Sequence, residues 1–454
     1  MKTEKIITEI AEAPAKALDE VIVKSEQALT NIRRPLREAE GYWYAVGPGL
    51  TTGASDDDPS GIATYSQAGA KFGFALLWTA LFTWPLMIAV QEMCARIGIA
   101  TGRGLAGNIR LRYPKVVLYS LAAILFITNV FNLGADLGAM SKAAQLIFPS
   151  VNFLTYLLLF TIISLSLQVF VSYSSYARYL KYLTLVLLLY IVTALSLDYL
   201  PWPEIWHRTL LPMFELNRDS FILITAILGT TISPYLFFWQ TAQEVEERRM
   251  SGKINVKLRH QSVRKSEISR MRFDVFVGMT LSNIVMFFVI VTSAAVLFPQ
   301  GIEVNTAEDA ARALLPLAGS QAYTLFALGI IGTGLLAVPV LAGSAAYALS
   351  ESFHWSFGFS RGLRHAYAFY GVIIFAMVLG FILNMVGINP IHALIYSAVL
   401  NGIISPIILY FIVRISSDKS LMGKWANGML SKIFGYTALV LMTVSAVGAI
   451  WALS

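Results

Sequence analysis

Three consecutive acids, Asp56, Asp57 and Asp58, stand inside the first apolar stretch of the chain and are followed at once by Pro59. A charged side chain at membrane depth costs about 3 kcal/mol to insert, so acids placed there indicate a functional site. Pro59 has no backbone N–H, and the carbonyl of Ser55 therefore loses its helical partner. A carboxylate beside a freed carbonyl oxygen suits a hard cation, because such ions bind oxygen ligands.

A second apolar stretch is interrupted in the same way. It contains Thr230, Ser233, Pro234 and Tyr235 within six residues, and Pro234 removes the helical partner of the Thr230 carbonyl. Hydroxyl groups and a freed carbonyl add further oxygen atoms. Irregular backbone at this depth is tolerated where it lines a cavity, so both breaks are expected to face one.

Eleven membrane-spanning helices are predicted, and the two breaks lie in the first and the sixth of them. Of the 454 residues, 56% are hydrophobic and only 13% are charged, about half the charged fraction of roughly 25% that is usual in soluble proteins. Apolar runs recur to the C-terminus, which is typical of an all-α polytopic membrane protein. The spans are expected at 44–70, 72–96, 116–141, 152–171, 177–199, 221–244, 274–298, 321–350, 366–386, 391–413 and 434–453.

The basic residues predict the orientation. Most of the 34 Lys and Arg residues fall in segments on one side of the predicted membrane, above all in the loop 245–273. This asymmetry predicts a cytoplasmic N-terminus and an extracellular or periplasmic C-terminus. We expect a multi-pass protein embedded in the lipid bilayer of the plasma membrane. In a bacterium this would be the inner membrane. The charge is interpreted as topogenic, so neither a nucleic acid nor an obligate protein partner is predicted.

The spans divide into two units of five helices. Segment 1–43 is expected to be cytoplasmic and either amphipathic or disordered. The first unit covers 44–199, an extracellular loop covers 200–220, the second unit covers 221–413, and 414–454 contains a cytoplasmic loop and the last helix. Five helices per unit give the second unit the opposite orientation, and each unit opens with a broken helix. Such a pair of broken helices predicts a transporter binding site.

Several motifs resemble those of the Nramp family of divalent-metal transporters. Residues 47–49, Gly-Pro-Gly, and 58–64, Asp-Pro-Ser-Gly-Ile-Ala-Thr, resemble the opening of that family's first helix. Residues 95–103 resemble the end of its helix two, and 274–298 its helix seven. The resemblance spans roughly 45–410. It implies a LeuT-like 5+5 inverted-repeat fold, with broken helices one and six and a binding site between them.

The chain departs from the pattern of family members that carry Mn²⁺ and Fe²⁺. Gly61 stands where those members have Asn, and Ser60 stands where they have Gly. In helix six, Ser233 replaces a Met and Tyr235 replaces a His. These departures resemble the Nramp-related magnesium transporters, the branch to which the chain is most similar.

The altered site favours a harder ion. A Met thioether favours transition metals over Mg²⁺, and Ser233 removes it. Gly61 and Ser233 are expected to enlarge the cavity, which suits Mg²⁺ because this ion keeps several waters. We predict Mg²⁺ as the chief substrate, with Mn²⁺ also accepted and no cofactor. The predicted metal-site residues are Asp58, Gly61, Ser55, Thr230 and Ser233. Secondary or vestibule positions are Asp56, Asp57, Ser60, Tyr235, Asp136 and Asn401.

Proton coupling has little support in the sequence. Histidine is the side chain whose pKa suits proton transfer near neutral pH, and all five histidines fall in predicted loops or span ends. A second helix-six His of the family is Gln240 here. In helix three Asp136 remains, but the acid three residues later is Ala139. Uncoupled uptake is therefore predicted, and a dication gains about 4.6 kcal/mol per 100 mV of inside-negative potential.

Three other functions remain open. The first is a proton-coupled Mn²⁺ or Fe²⁺ transporter of the Nramp type, which acidification during uptake would favour. The second is a divalent-cation channel with a constriction of carbonyls and acids, although two broken helices argue for alternating access. An enzyme is the least supported, since no metal-binding His cluster, nucleophile elbow or phosphate-binding loop is present.

The site residues also have structural interpretations. Asp58 could cap the second half of helix one, and the two acids before it could act only through their potential. The hydroxyls of Thr230 and Ser233 could bond back to the preceding turn. Asp136 could join two helices by hydrogen bonds, and packing is the favoured interpretation of Asn401.

Overall fold

The structure is a computed structural model that describes residues 47–171, 185–213, 217–252, 256, 260 and 262–454. Regular secondary structure in these residues is helical. The predicted segment 1–43 and residues 177–184 of the fifth predicted span lie outside the described residues. The longer helices are α1 (Pro48–Asp56), α2 (Pro59–Phe72), α3 (Trp78–Thr101), α4 (Leu105–Arg112), α5 (Lys115–Ile147), α6 (Phe153–Phe170), α7 (Leu188–Ser196), α8 (Trp202–Leu210), α9 (Arg218–Thr231), α10 (Pro234–Met250), α11 (Lys265–Val296), α12 (Ala322–Phe353), α13 (Tyr367–Leu383), α14 (Pro390–Ser417) and α15 (Met429–Leu453).

Two of the predicted spans are broken. The first consists of α1 and α2, and the sixth consists of α9 and α10. In both, a proline is the first residue of the second half, Pro59 in α2 and Pro234 in α10. Proline is favoured at that position because its missing N–H would have no partner there in any case. The local chemistry of the two prolines therefore sets where the spans break.

Eight helical segments of the described residues are long and apolar enough to cross a membrane. A ninth is counted if Pro59–Leu76 and Trp78–Thr101, bent by 108° relative to each other, are taken as one span. That pair joins the second half of the first predicted span to the second predicted span. The prediction of eleven also rests on the short halves of the first span and on the fifth span, which the structure describes only from residue 185.

Glycines bring the broken spans against their neighbours. A Cβ on Gly53 of α1 would lie within 3 Å of three backbone atoms of Gly278 of α11. A Cβ on Gly98 of α3 would lie 2.5 Å from the carbonyl oxygen of Thr241 on α10. Only glycine permits backbones this close. The first span therefore packs on α11, and the second half of the sixth span packs on α3.

A carboxylate from α11 fixes the start of α1. Asp274 accepts the backbone N–H of Gly49 at 2.6 Å and that of Leu50 at 3.3 Å. The first N–H groups of a helix have no partner within it, and a carboxylate at that end also interacts favourably with the helix dipole. The nine-residue helix α1 is thus capped by a neighbouring span.

The outer helices expose apolar stripes. Large exposed side chains on α15 include Val440, Val444, Val447 and Trp451, spaced along one helix face. Between the helices, the buried residues form two large clusters, one around the first span and one around α5 and α12. This is the pattern of a helical membrane protein, apolar towards lipid and packed inside.

Candidate functional site

Asp58 lies between the two halves of the first span and is 1% exposed. One carboxylate oxygen, Oδ1, caps α2: it accepts the Gly61 N–H at 2.8 Å and the Ser60 hydroxyl at 2.6 Å. The other oxygen, Oδ2, faces neighbouring helices, with the Tyr235 hydroxyl at 3.2 Å and the Asn132 amide nitrogen at 3.4 Å. The two oxygens therefore have separate surroundings, and the contacts of Oδ2 are longer than those of Oδ1.

The carbonyl that Pro59 frees has a partner from the sixth span. The Tyr235 hydroxyl lies 3.3 Å from the carbonyl oxygen of Ser55, as well as beside Asp58. The Ser55 hydroxyl donates to the Thr51 carbonyl at 2.9 Å. The structure thus brings Ser55, Asp58 and Tyr235 together at the break of the first span.

The break of the sixth span is closed by its own hydroxyls. Ser233 Oγ lies 2.7 Å from the Gly229 carbonyl and 2.6 Å from the Thr230 carbonyl. Thr230 Oγ1 lies 2.9 Å from the Ile227 carbonyl and 3.0 Å from the hydroxyl of Tyr65. Both hydroxyls bond back to the preceding turn, which was the structural interpretation. Their oxygen lone pairs and the second lone pair of each carbonyl are the groups left for an ion.

Asp56 and Asp57 face α11 and share one hydroxyl. Ser282 Oγ lies 2.6 Å from Asp56 Oδ2 and 3.1 Å from Asp57 Oδ1. Within the described residues Asp56 Oδ1 has no hydrogen-bond partner. The three consecutive acids therefore divide: Asp58 faces α5 and α10, and the other two face α11.

Asp136 and Asn401 are two further buried residues of the predicted site. In the part of the chain that the structure describes, neither carboxylate oxygen of Asp136 and neither amide atom of Asn401 makes a hydrogen bond. Asp136 belongs to α5, one turn beyond Asn132, and Asn401 belongs to α14. The hydrogen bond between helices that would make Asp136 structural is absent among these residues.

The room expected beside Gly61 is occupied in this structure. A Cβ at this position would lie 3.3 Å from the Asp56 carbonyl oxygen and 3.3 Å from the ring of Tyr65. Tyr65 is fully buried and packs one turn further along α2. The expectation that glycine enlarges the cavity on this side is therefore wrong for this conformation, because an aromatic ring occupies the space.

Three residues at the site were not predicted from the sequence. They are Tyr65, Asn132, whose amide oxygen accepts the Ser397 hydroxyl at 2.8 Å, and Ser282. Asn132 precedes Asp136 by four residues, so helical spacing would have placed both on one face of α5. Ser282 lies more than 200 residues from the acids that it contacts, and no local pattern signals it.

Nitrogen and oxygen groups surround the carboxylate. The partners of Asp58 are two hydroxyls, a backbone N–H and an amide. No group of three or more His, Cys, Asp or Glu side chains able to hold a metal occurs among the residues described. A dication at Asp58 would therefore meet one carboxylate, carbonyls, hydroxyls and its own waters. Weak protein coordination of this kind suits an ion that must also leave.

Two broken helices that meet at a buried carboxylate define an all-α membrane protein of the LeuT-like inverted-repeat type. Solved structures share this fold. A histidine-to-alanine mutant of the Eremococcus coleocola manganese transporter matches with a TM-score of 0.69 at 15% identity, over 89% of this chain and 86% of that one. MhsT in complex with L-phenylalanine matches with a TM-score of 0.58 at 14% identity, over 90% of this chain and 98% of that one. The predicted fold class is confirmed.

The family follows from the sequence match. Residues 49–452 match the family described as natural resistance-associated macrophage protein-like, and the chain belongs to this Nramp family. The divalent metal cation transporter MntH of Clostridium acetobutylicum is 26% identical over 424 residues, 90% of this chain and 91% of the relative. MntH of Yersinia pestis is 27% identical over 419 residues, 90% of this chain and 94% of the relative. The predicted family is thus confirmed.

Proposed function

We propose that this protein carries divalent cations into the cytoplasm, chiefly Mg²⁺ and also Mn²⁺, as a member of the magnesium-transporting branch of its family. One observation carries the choice of ion: the side chain at the break of the sixth span is the hydroxyl of Ser233, where the family members that carry Mn²⁺ and Fe²⁺ have a thioether. Soft sulfur and imidazole ligands favour transition metals, and oxygen ligands favour Mg²⁺. Membership in the Nramp family and the relatives named as divalent metal cation transporters support the broader statement.

The proposed cargo is a partly hydrated ion. Mg²⁺ loses its waters reluctantly and is usually held by one or two carboxylates. Asp58 supplies one carboxylate oxygen, Oδ2, while Oδ1 is engaged in capping α2. The Ser55 and Thr230 carbonyls and the Ser233 hydroxyl are the proposed further contacts, made directly or through water. Asp56 and Asp57, which face α11, are proposed to raise the local negative potential.

Alternating access is the proposed mechanism. Asp58, Tyr235 and Ser233 are each 1% exposed or less, so the site is closed to both sides in this conformation. Broken helices of opposite orientation let one repeat rock against the other around such a site. We propose that release to the cytoplasm follows movement of α1 and α10, the halves on the predicted cytoplasmic side.

Transport without protons is the second part of the proposal. None of the five histidines, all of which the structure describes, is buried. The buried side chain of Gln240 donates a hydrogen bond to the Glu244 carboxylate at 3.0 Å and accepts one from the Thr52 hydroxyl at 2.5 Å. An amide cannot take up and release a proton near neutral pH. Membrane potential alone can drive dication entry, so no second gradient is required.

A proton-coupled Mn²⁺ or Fe²⁺ transporter is the second candidate, and the similar proteins favour it over the magnesium interpretation. The relatives bear the name MntH, a divalent metal cation transporter, and the structures with the same fold include a manganese transporter. The channel interpretation is set aside because the relatives are named as divalent metal cation transporters. A multi-pass position in the plasma membrane, with the N-terminus in the cytoplasm, is part of the proposal.

Uptake into proteoliposomes tests both candidates. The purified protein is reconstituted with a Mg²⁺ dye and, in parallel, a pH dye inside the vesicles, and Mg²⁺ or Mn²⁺ is added outside. Saturable Mg²⁺ entry without acidification is expected. Mn²⁺ entry accompanied by protons, with no Mg²⁺ entry, would contradict the proposal and establish the second candidate.

A further inference from the structure

The phenol of Tyr235 contacts both sides of the break in the first span. Tyr235 is the second residue of α10, and its ring is 1% exposed. Its hydroxyl oxygen lies 3.3 Å from the carbonyl oxygen of Ser55, in the last turn of α1, and 3.2 Å from Oδ2 of Asp58, the N-cap of α2. One side chain of the sixth span therefore lies between two oxygens that are proposed ligands.

The hydroxyl has unused hydrogen-bonding capacity. A phenol donates one hydrogen and can also accept. Two acceptor oxygens compete for that single hydrogen, so at any moment only one of the two contacts is a full hydrogen bond. No residue in the described ranges donates a hydrogen bond to the phenol oxygen. Its lone pairs are free to accept a hydrogen from water bound to an ion.

Two kinds of ion would meet this hydroxyl differently. An ion that binds the Ser55 carbonyl and the Asp58 carboxylate directly must displace the hydroxyl from between them. An ion that keeps its inner waters can leave the hydroxyl in place and donate a water hydrogen to it. Mg²⁺ belongs to the second kind because it dehydrates reluctantly. Water-mediated contacts of this sort are nearly as favourable as direct hydrogen bonds.

We propose that Tyr235 is a specificity-determining residue that accepts a hydrogen bond from the water shell of the transported ion. The hydroxyl favours a hydrated dication, and it opposes an ion that binds the two oxygens directly. This inference rests on the Mg²⁺ transport proposed above and assigns part of the preference for Mg²⁺ over Mn²⁺ to a single phenolic oxygen.

The substitution Tyr235→Phe removes that oxygen and leaves the ring. Uptake into proteoliposomes is measured as a function of Mg²⁺ and of Mn²⁺ concentration, and KM is compared with that of wild type. KM for Mg²⁺ is expected to rise about tenfold, the loss expected for one contact of roughly 1.4 kcal/mol. KM for Mn²⁺ is expected to fall or to stay within about threefold of wild type, because an ion that binds the two oxygens directly no longer has to displace the hydroxyl.

Tyr347→Phe is the matched control. Tyr347 is a buried tyrosine of α12 whose hydroxyl accepts the Phe359 N–H at 3.5 Å rather than contacting Asp58. The control is expected to leave the ratio of the two KM values unchanged. An equal rise of both KM values in Tyr235→Phe, or no change in either, would overturn the proposal, because a merely structural phenol affects both ions alike.

Ion binding in detergent provides a second readout if Tyr235→Phe transports nothing. Stabilisation of the purified protein by Mg²⁺ and by Mn²⁺ is measured as a shift in Tm. Selective loss of the Mg²⁺ shift supports the inference, and equal loss of both shifts overturns it. A wild-type protein that takes up only Mn²⁺ would disprove the proposed function and this inference together. Wild-type uptake of Mg²⁺ with an unchanged ratio in the variant would disprove this inference alone.

Discussion

Asp58→Asn separates the charge of the proposed ligand from its structural role. Asn is as good an N-cap as Asp, so its side-chain oxygen can still accept the Gly61 N–H that Oδ1 accepts at 2.8 Å. Its amide nitrogen then replaces Oδ2 and presents a hydrogen-bond donor where a cation would bind. The change therefore removes the negative charge from the site while the start of α2 remains capped.

The expected loss of ion binding is large. The Coulomb attraction between one negative charge and a dication about 4 Å away is roughly 8 kcal/mol at an effective dielectric constant of about 20. Desolvation of the ion and carboxylate offsets most of this, and removing one partner of a buried charge pair typically costs 3–5 kcal/mol. A net loss of about 3 kcal/mol corresponds to more than a 100-fold increase in Kd. Mg²⁺ uptake should fall to the level of empty vesicles.

Asp58→Asn should weaken ion binding, but it should not lower the stability of the fold. A charge at membrane depth costs about 3 kcal/mol on insertion scales, so a neutral Asn at position 58 is expected to preserve or raise Tm. Asp58→Ala serves as the comparison, because it also removes the cap and should lower the free energy of unfolding by about 1 kcal/mol. Tm in detergent and uptake in proteoliposomes are measured on both variants. Uptake by Asp58→Asn above a third of wild type would refute the assignment of Asp58 as the metal ligand.

Two further substitutions test the site and its packing. Ser233→Met introduces a thioether. Because sulfur favours transition metals, Mn²⁺ is expected to inhibit Mg²⁺ uptake at about tenfold lower concentration than in wild type. Unchanged inhibition would contradict the role given to Ser233. Gly53→Ala places a Cβ within 3 Å of the α11 backbone and should cost about 1–3 kcal/mol of stability by overpacking, seen as a lower Tm. Gly371→Ala, which has nothing within 4 Å of its Cβ, should not lower Tm, and an equal loss in both variants would contradict the close contact.

Much of the fold was predictable because its signals are local. Pro59 and Pro234 begin the second halves of the two broken spans, since a residue without a backbone N–H cannot continue a helix through its own position. Helix ends were less accurate. The helix that contains the span predicted at 274–298 begins at Lys265, because polar residues extend a helix beyond the membrane without adding to its apolar run.

The candidate site was predictable only in part. Asp58 and the carbonyls of Ser55 and Thr230 follow from the two prolines. Which groups occupy those carbonyls does not: a phenol from α10 contacts the first, and a hydroxyl three residues along the chain contacts the second. The prediction of extra room at Gly61 was wrong for the same reason. The sequence shows that a side chain is missing at this position, but it does not show that the ring of Tyr65 packs against it.

The sequence by itself determined the class of protein, the positions of the two helix breaks and the family, because apolar run length, proline chemistry and short motifs are properties of neighbouring residues. Only the tertiary structure decided how the three consecutive acids divide between α11 and the α5–α10 side. It also decided that Asn132 and Tyr235 converge on Asp58. These contacts join residues 74 and 177 positions apart in the chain, and their geometry depends on the packing of whole helices.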